Sequence, residues 1–312
     1  METKSFFQIM EDGAEICINR WIPDGDIKGI IHISHGMAEH SMRYDRFATI
    51  LAEKGYLVSA ADHRGHGKTA QNAQQKNAGM LGFLAEKDGF NRVTRDIHEI
   101  ILKLKEDYSG KKVILFAHSF GSFIGQNFIE KYGAEVEACV LCGTAGPRQM
   151  LMHSALFIGS IEQLFCGNKH VSNLLNKLAF GAYNKKIKNK RTNFDWLSVD
   201  EANVDLYLSD IWCGFVPTTG FFIDMFKGFI QIHKAKNMNT IPKNLPIYLI
   251  CGKEDPVGDY SKTVTKLFKI YKKIGITDVE LKVYENIRHE VLNDTSKDIA
   301  IEDITNWLTK RL

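Results

Sequence analysis

Short apolar runs recur along the chain, and helical patterns lie between them. The runs fall at 30–33, 57–61, 113–117, 138–142 and 247–251. Runs of this length without polar alternation are typical of strands that a parallel sheet buries on both faces. The sequence therefore predicts an α/β fold with helices covering both faces of the sheet.

Three further strands complete the expected sheet. Residues 5–10 and 15–22 indicate a hairpin around the Glu11-Asp12-Gly13 turn, and a last strand is predicted over 279–284. The sheet should then have eight strands, most of them parallel. Amphipathic helical patterns are found around 47–51, over 93–104, between Ser119 and Gly133, over 260–273 and at the C-terminus.

The alternation of strands and helices stops between about Pro147 and Ile241. We interpret this helical or irregular stretch as an insertion into the α/β domain. The chain then divides into a core of residues 1–146 and 242–312 and a cap of residues 147–241. The large aromatic residues of this stretch include Phe157, Phe165, Phe180, Trp196, Trp212, Phe215, Phe221, Phe222, Phe226 and Phe229.

Composition changes this picture little. The chain has 312 residues with 44% apolar and 25% charged residues, which is ordinary for a globular protein. A net charge of +3 gives no reason to expect a nucleic acid partner. No segment approaches the ~18 apolar residues of a membrane helix, and residues 1–13 lack the apolar run of a secretory signal. We therefore expect a cytosolic protein.

Six cysteines lie at positions 17, 139, 142, 166, 213 and 251, and we expect them to be packing residues. Cys139 and Cys142 have the C-x-x-C spacing of redox and metal sites. In a strand, however, positions three apart point to opposite faces of the sheet. Disulfides are not expected in a reducing compartment.

The apolar run at 113–117 leads directly into Ser119 within the sequence Ala117-His118-Ser119-Phe120-Gly121. This differs by one residue from the Gly-x-Ser-x-Gly nucleophile elbow, which exposes a serine between a strand and a helix. Gly121 fits because the helix must leave close to the strand. The alternative is an ordinary strand, turn and helix that happen to contain a serine.

An elbow serine needs a base and a carboxylate that orients the base. In this fold they should follow in the order Ser, acid, His, each in a loop after a strand. Asp255 follows the strand at 247–251, and His289 follows the strand at 279–284. Glu254 and Asp259 are weaker alternatives for the acid.

A tetrahedral intermediate also needs backbone donors around its oxyanion. One N–H group should come from Phe120, the residue after the nucleophile. The second should come from the loop His35-Gly36-Met37 after the third strand, where we assign it to Met37.

Together these motifs resemble the α/β-hydrolase superfamily, and within it the monoacylglycerol lipase and lysophospholipase group, often labelled serine aminopeptidase-like. The resemblance covers almost the whole chain. It rests on His35-Gly36-Met37-Ala38-Glu39-His40 with Arg43-Tyr44, Asp62-His63-Arg64-Gly65-His66-Gly67, His118-Ser119-Phe120-Gly121, Gly252-Lys253-Glu254-Asp255-Pro256-Val257-Gly258, and His289-Glu290.

The resemblance implies that Ser119 is the nucleophile, Asp255 the acid and His289 the base. It also places Met37 and Phe120 at the oxyanion positions. The family pattern has Gly at position 117 and often Met at position 120. The change at position 120 affects only the pocket shape, because the donor there is the backbone.

Several other patterns in the sequence suggest different chemistry. Gly67-Lys68-Thr69 is like the end of a P-loop, but the first glycine of that motif would fall on Asp62. Metal ligands could come from five histidines, His32, His35, His40, His63 and His66. The matching motifs, however, make most of them polar groups beneath the loop around Gly36 and Met37, which we call the oxyanion loop. We therefore expect no metal. The basic run at 184–191 is a solvated surface or, alternatively, a contact with anionic lipid.

The leading hypothesis is a serine carboxylic-ester hydrolase that needs no cofactor. The aromatic cap favours an apolar acyl group on a small ester such as a monoacylglycerol or lysophospholipid, with transient contact between the cap and a lipid surface. An aminopeptidase is a second hypothesis, in which a cap carboxylate would hold the free amine. The candidates are Glu162, Asp200, Glu201 and Asp205. A non-catalytic binding module is the third.

Overall fold

A computed structural model describes residues 1–312 as one eight-stranded sheet with helices on both faces. The strands are β1 (Glu2–Ile9), β2 (Glu15–Ile22), β3 (Gly29–Ser34), β4 (Tyr56–Ala61), β5 (Val113–His118), β6 (Ala138–Cys142), β7 (Ile247–Gly252) and β8 (Val279–Tyr284). The helices are α1 (Asp45–Glu53), α2 (Gly67–Gln75), α3 (Gly89–Asp107), α4 (Phe120–Tyr132), α5 (Gln149–Cys166), α6 (Asn173–Phe180), α7 (Glu201–Ser209), α8 (Thr219–Ile232), α9 (Ala235–Met238), α10 (Lys262–Lys273) and α11 (Lys297–Thr309). Short 3-10 turns lie at Ser41–Tyr44, Gly133–Glu135 and Asp195–Leu197.

The strand order is β1-β2-β4-β3-β5-β6-β7-β8. Strand β2 pairs antiparallel with both β1 and β4, and every other pairing is parallel. The predicted fold class, a mostly parallel eight-stranded α/β sheet, is therefore confirmed. Because β5 lies at the centre of this sheet, the loops at its carboxyl end are surrounded by those of its neighbours.

Each face of the sheet carries its own apolar core, of 42 and 27 buried residues. Successive residues of β5 alternate between the two cores, as the pleat requires. Cys139 and Cys142 likewise lie in opposite cores, as their spacing in a strand predicts. The expectation that all six cysteines are packing residues is wrong for Cys166, which is exposed, and Cys213 is only half-buried.

Helix α2 was not predicted from the sequence. Its buried positions are Gly67, Thr69 and Ala70, so it lacks the stripe of large apolar residues that usually marks a helix. The Lys68 N–H donates to Asp62 Oδ2 at 2.8 Å, which satisfies one of the free donors of the first turn. Gly67-Lys68-Thr69, which resemble the end of a P-loop, therefore form the first turn of α2, and the carboxylate of Asp62 caps that turn.

Between β6 and β7 the chain forms helices α5 to α9 without adding a strand to the sheet. Helix α8 packs on α3 and α4, and α5 packs on α8. The treatment of residues 147–241 as a cap subdomain remains our proposal. No helix of the structure combines the length and the hydrophobicity that crossing a membrane would require.

Candidate active site

Ser119 lies between the end of β5 and the start of α4, in a strained backbone conformation. Its φ of 53° and ψ of −121° are sparsely populated by residues other than glycine. Hydrogen bonds hold it there: the Ser119 N–H donates to Cys142 O at 3.0 Å, and the Ser122 N–H donates to Ser119 O at 2.8 Å. The sharp turn directs the serine side chain away from the run of the strand, as a nucleophile elbow requires.

Two glycines of α4 allow the helix to pass close to the sheet. A Cβ atom on Gly121 would lie 2.2 Å from Ser34 O, so no larger residue fits. A Cβ atom on Gly125 would lie 2.9 Å from the Ala117 Cβ. The methyl group of Ala117, at the position where the family pattern has glycine, thus takes the space that Gly125 leaves free. This explains how the elbow accommodates the departure.

The structure brings together the three residues that the sequence predicted as a triad. His289 Nε2 lies 2.8 Å from Ser119 Oγ, and His289 Nδ1 lies 3.0 Å from Asp255 Oδ2. Asp255 is fully buried, and its Oδ1 accepts the Val257 N–H at 2.9 Å. With the neutral imidazole protonated on Nδ1, the hydroxyl donates to Nε2 and the ring donates to the carboxylate. This geometry suits removal of the hydroxyl proton by the imidazole.

The alternative acids lie elsewhere. The Glu254 side chain is exposed beside Tyr260 and Arg288. The Asp259 carboxylate lies 4.0 Å from the Arg148 guanidinium and is 45% exposed. The carboxylate that hydrogen-bonds to His289 belongs to Asp255.

The loop after β3 lies directly against Ser119. A Cβ atom on Gly36 would lie 3.0 Å from the Ser119 Cβ and 2.6 Å from Glu39 Oε1, so only glycine allows this approach. The Met37 N–H lies outside every helix and strand and makes no hydrogen bond within the chain. Phe120 is the first residue of α4, where N–H groups have no partner in the helix. Both donors are therefore free to bind an oxyanion.

Glu39 is a buried residue that ties this loop together, and the sequence analysis gave it no role. Its Oε1 accepts hydrogen bonds from the Gly36 N–H at 2.5 Å and the Tyr44 hydroxyl at 2.8 Å. His118 Nδ1 lies 3.3 Å from the same oxygen. Burial alone would raise the pKa of Glu39, but the bond from His118 and the charge of Arg43 hold this pKa well below its usual value. A carboxylate therefore supports the turn at Gly36.

Arg43 joins the oxyanion loop to the loop that carries His289. It donates to Glu39 Oε2 at 2.9 Å and forms two bonds to Glu290, at 2.5 and 2.8 Å. Asn203 of α7 donates to Glu290 Oε2 at 2.7 Å, so the segment between β6 and β7 also takes part. Burial opposes ionisation of Glu290, but the Arg43 charge lowers the pKa of that carboxyl. In the sequence, the position of Glu290 directly after His289 is the one sign of this ion pair. Its partner Arg43 lies 247 positions away in the chain.

Three buried histidines support the loop from below. The rings of His35 and His63 are 4.1 Å apart, and that of His66 is 5.1 Å from His35. His35 Nδ1 lies 2.7 Å from Gly36 O, and His35 Nε2 accepts the His63 N–H at 2.9 Å. Burial lowers the pKa of all three, that of His66 to about 3, so they are neutral at physiological pH.

Aromatic side chains from the segment between β6 and β7 flank the catalytic candidates on two sides. The Phe221 ring of α8 lies 5.1 Å from the Phe120 ring, and the Trp196 ring lies 5.1 Å from the His289 ring. Trp196 in turn stacks on Phe180 of α6 at 6.1 Å. The surroundings of Ser119 are therefore rich in apolar groups.

The sheet topology, together with a strained serine at the end of β5, defines the class of protein: an α/β-hydrolase fold. Comparison with known proteins identifies the family. Residues 25–296 match the family described as serine aminopeptidase, S33, and the chain belongs to that family. It is a hydrolase.

Relatives extend over nearly the whole chain. A protein of Mycolicibacterium smegmatis named monoacylglycerol lipase is 26% identical over 305 residues, covering 96% of this chain and 95% of the relative. The Homo sapiens monoglyceride lipase is 26% identical over 312 residues, covering 96% and 88%. The crystal structure of a highly thermostable carboxyl esterase from Bacillus coagulans, in complex with glycerol, superposes with a TM-score of 0.91 at 26% identity, covering 100% and 99% of the two chains. These relatives support ester hydrolysis.

Proposed function

We propose that this protein is a serine carboxylic-ester hydrolase that cleaves a monoacylglycerol or lysophospholipid through an acyl-enzyme intermediate. The observation that carries the proposal is the continuous chain of contacts from Ser119 Oγ through His289 to the buried Asp255. In this proposal Ser119 is the nucleophile, His289 the base and Asp255 the orienting acid.

The first half of the reaction acylates the serine. Ser119 Oγ attacks the ester carbonyl carbon while His289 Nε2 takes the hydroxyl proton. The carbonyl oxygen becomes negatively charged and is stabilised by the N–H groups of Met37 and Phe120. When the intermediate collapses, the C–O bond of the ester breaks, and the imidazolium returns the proton to the departing alcohol.

The second half restores the enzyme. Water attacks the acyl carbon while His289 accepts a proton from it, and the bond to Ser119 Oγ breaks as the oxygen regains a proton. Asp255 stabilises the imidazolium in both halves and holds Nδ1 as the protonated nitrogen. Arg43 bridges the carboxylates of Glu39 and Glu290 on either side, so that the oxyanion loop and the His289 loop keep their relative positions.

The aromatic residues around Ser119 support an apolar acyl group. Burial of each CH₂ of an acyl chain is worth about 0.8 kcal/mol. The indole of Trp196 supplies an apolar group next to His289, and the fully buried Phe221 packs behind Phe120. The names of the Mycolicibacterium smegmatis and Homo sapiens relatives point to the same class of substrate.

An aminopeptidase would need a carboxylate free to bind a substrate amine, and the four candidates have other partners. Glu162 accepts the Ser172 hydroxyl at 2.5 Å, and Asp200 accepts Lys297 Nζ at 3.1 Å. Glu201 and Asp205 both lie close to Arg191, at 3.7 and 2.7 Å. These contacts favour the esterase.

A chain-length series tests the choice of substrate. Glycerol monoesters of increasing acyl length should show kcat/KM rising by about two orders of magnitude for four added carbons, until the acyl chain extends beyond the apolar groups around Ser119. Aminoacyl amides, with the amine free or blocked, provide the comparison and should be cleaved far more slowly. A flat profile together with dependence on a free amine would favour the aminopeptidase.

We also propose that α5 contacts the lipid surface that holds such substrates. Most of its large apolar side chains face outward, beside the exposed His153, Ser154 and Ser160, and its only charged residue, Glu162, is turned inward with a side chain 10% exposed. Exposed apolar patches of this kind mark sites of membrane or protein contact. The exposed large apolar residues of α5 are Met150, Leu151, Phe157, Ile161, Leu164 and Phe165.

Vesicle binding distinguishes α5 from the basic run at 184–191. Phe165→Glu should reduce co-sedimentation with zwitterionic phospholipid vesicles while leaving hydrolysis of a dissolved short-chain ester unchanged. Ile9→Glu, at a 71% exposed position of β1, is the matched control and should bind as the wild type does. If, with vesicles that contain anionic lipid, Lys188→Glu abolished binding and Phe165→Glu did not, the basic run would be the contact instead.

A further inference from the structure

Three side chains with metal-binding donors meet where the loop after β3 touches the segment after α7. One donor atom each from His40, Asp210 and Cys213 lies within 4.8 Å of the other two, and all three residues are half-buried. His40 Nε2 is 2.8 Å from Asp210 Oδ2. The proposed hydrolysis uses none of these groups.

The backbone around these donors is already anchored. The Gly214 N–H donates to Ala38 O at 3.0 Å, which fixes Cys213 beside the loop of His40. The Trp212 N–H donates to Asp210 Oδ1 at 2.8 Å, so the carboxylate has one oxygen held and the other turned to His40. Such outer partners orient metal ligands in known sites.

We propose that His40, Asp210 and Cys213 form a binding site for a divalent cation of the zinc class. Imidazole nitrogen, carboxylate oxygen and thiolate sulfur are the ligand types of Zn²⁺. Ligand atoms of a tetrahedral zinc site lie about 3.3–3.6 Å apart, given bonds of about 2.0–2.3 Å. A contraction of about 1 Å would therefore close the site, with water as the fourth ligand. On binding, the Cys213 thiol gives up its proton to solvent, and no redox step takes place.

Such a site would be structural. His40 follows the oxyanion loop, whereas Asp210 and Cys213 belong to the segment between β6 and β7, about 170 positions away. A metal would link these two parts and raise the melting temperature, because it binds only the folded chain. The inference does not depend on the proposed hydrolysis, and its test does not use activity.

The test is a titration of the chelator-treated protein with Co²⁺ and Zn²⁺. We expect one equivalent of Co²⁺ to produce a thiolate-to-cobalt charge-transfer absorption, which Zn²⁺ then displaces. Cys213→Ala should abolish this absorption, and Asp210→Asn should weaken binding at least about tenfold, since loss of mere outer partners costs that much in known sites. Cys166→Ala removes the exposed cysteine and is the matched control; it should titrate as the wild type does.

Two results would overturn the inference. One is a wild-type protein that shows no charge-transfer absorption at one equivalent. The other is an absorption that survives Cys213→Ala or disappears in Cys166→Ala, which would place the metal elsewhere. Circular dichroism of each variant establishes that it is folded before it is titrated.

Discussion

Helices α4 and α5 are both rich in apolar residues, yet they have opposite environments. Helix α4 follows the candidate nucleophile and buries 11 of its 13 residues against β3, β5, β6, α3 and α8. Helix α5 has 18 residues and buries only Gly159, because it packs mainly on α8 and α6. Apolar composition alone therefore does not determine burial. In α4 the apolar side chains pack behind the candidate site, whereas in α5 they leave an exposed apolar surface.

The largest effect should come from the buried region that carries the chemistry. Asp255→Asn should reduce kcat on the order of 10⁴-fold, because the imidazole loses the acceptor that selects its tautomer. Glu254→Gln and Asp259→Asn are matched controls and should retain near wild-type turnover. Steady-state kinetics on a dissolved ester makes the comparison. If Asp255→Asn were nearly as active as the wild type, the acid would have to be reassigned to one of the two controls.

Matched truncations test the contrast between the two helices directly. Phe128 of α4 is fully buried, so Phe128→Ala should lower the free energy of unfolding by about 3–5 kcal/mol. Phe165 of α5 is 80% exposed, and Phe165→Ala should change the free energy of unfolding by no more than about 0.5 kcal/mol. Urea denaturation measures both. Equal losses would mean that α5 is packed against something in solution.

The oxyanion loop should respond to loss of a backbone donor. Met37→Pro removes the free N–H and should cost about 2.7–4 kcal/mol of transition-state stabilisation, on the order of 10²–10³ in kcat. Met37→Ala keeps the donor and should have a small effect. Thermal unfolding of both variants distinguishes the loss of the donor from damage to the folded loop. Similar kcat values in the two folded variants would show that Met37 is not the donor.

The last effect depends on pH and concerns a buried carboxyl of α4. Burial raises the pKa of Glu130 to about 9, and its Oε1 has no hydrogen-bond partner. The folded chain keeps this proton up to about pH 9, whereas the unfolded chain releases it near pH 4.5. Stability of the wild type should therefore fall relative to Glu130→Gln as the pH rises through this interval.

Urea denaturation midpoints of the wild type and Glu130→Gln at about pH 5, 7 and 9 measure how this difference in stability changes with pH. Asp224→Asn is the control, because burial raises the pKa of Asp224 only to about 6, so its contribution should level off above that pH. A difference between wild type and Glu130→Gln that does not change with pH would show that Glu130 does not titrate as a buried acid.

The sequence predicted much of the fold because the strands of a parallel sheet are marked by their own composition. The predicted bounds of β6 and β8 agree with the structure. The order Ser119, Asp255, His289 was also readable, since each residue follows a strand. The pairing of Arg43 with Glu290 was not, because it joins positions that only the folded sheet brings together.

The sequence also could not predict which aromatic residues between β6 and β7 are buried and which are exposed. Phe221 and Phe226 are buried, while Phe157 and Phe165 are largely exposed, although all four belong to similar apolar helical stretches. Which face of each helix is buried depends on how α8 packs on α3 and α4 and on how α5 packs on α8. Helix α2 was missed for a related reason, since its buried face is made of small residues.

The most direct test of the central claim is covalent labelling with a fluorophosphonate probe. The account predicts that the wild-type protein takes up one probe per chain, on the peptide that contains Ser119. Ser119→Ala should not be labelled, and His289→Ala should be labelled far more slowly because the hydroxyl loses its base. Intact-mass and peptide mass spectrometry give the stoichiometry and the position. Absence of labelling in the folded wild type would contradict the account and leave a binding module with the fold of a hydrolase. Labelling that persists in Ser119→Ala would contradict it too, because the reactive nucleophile would then be another residue.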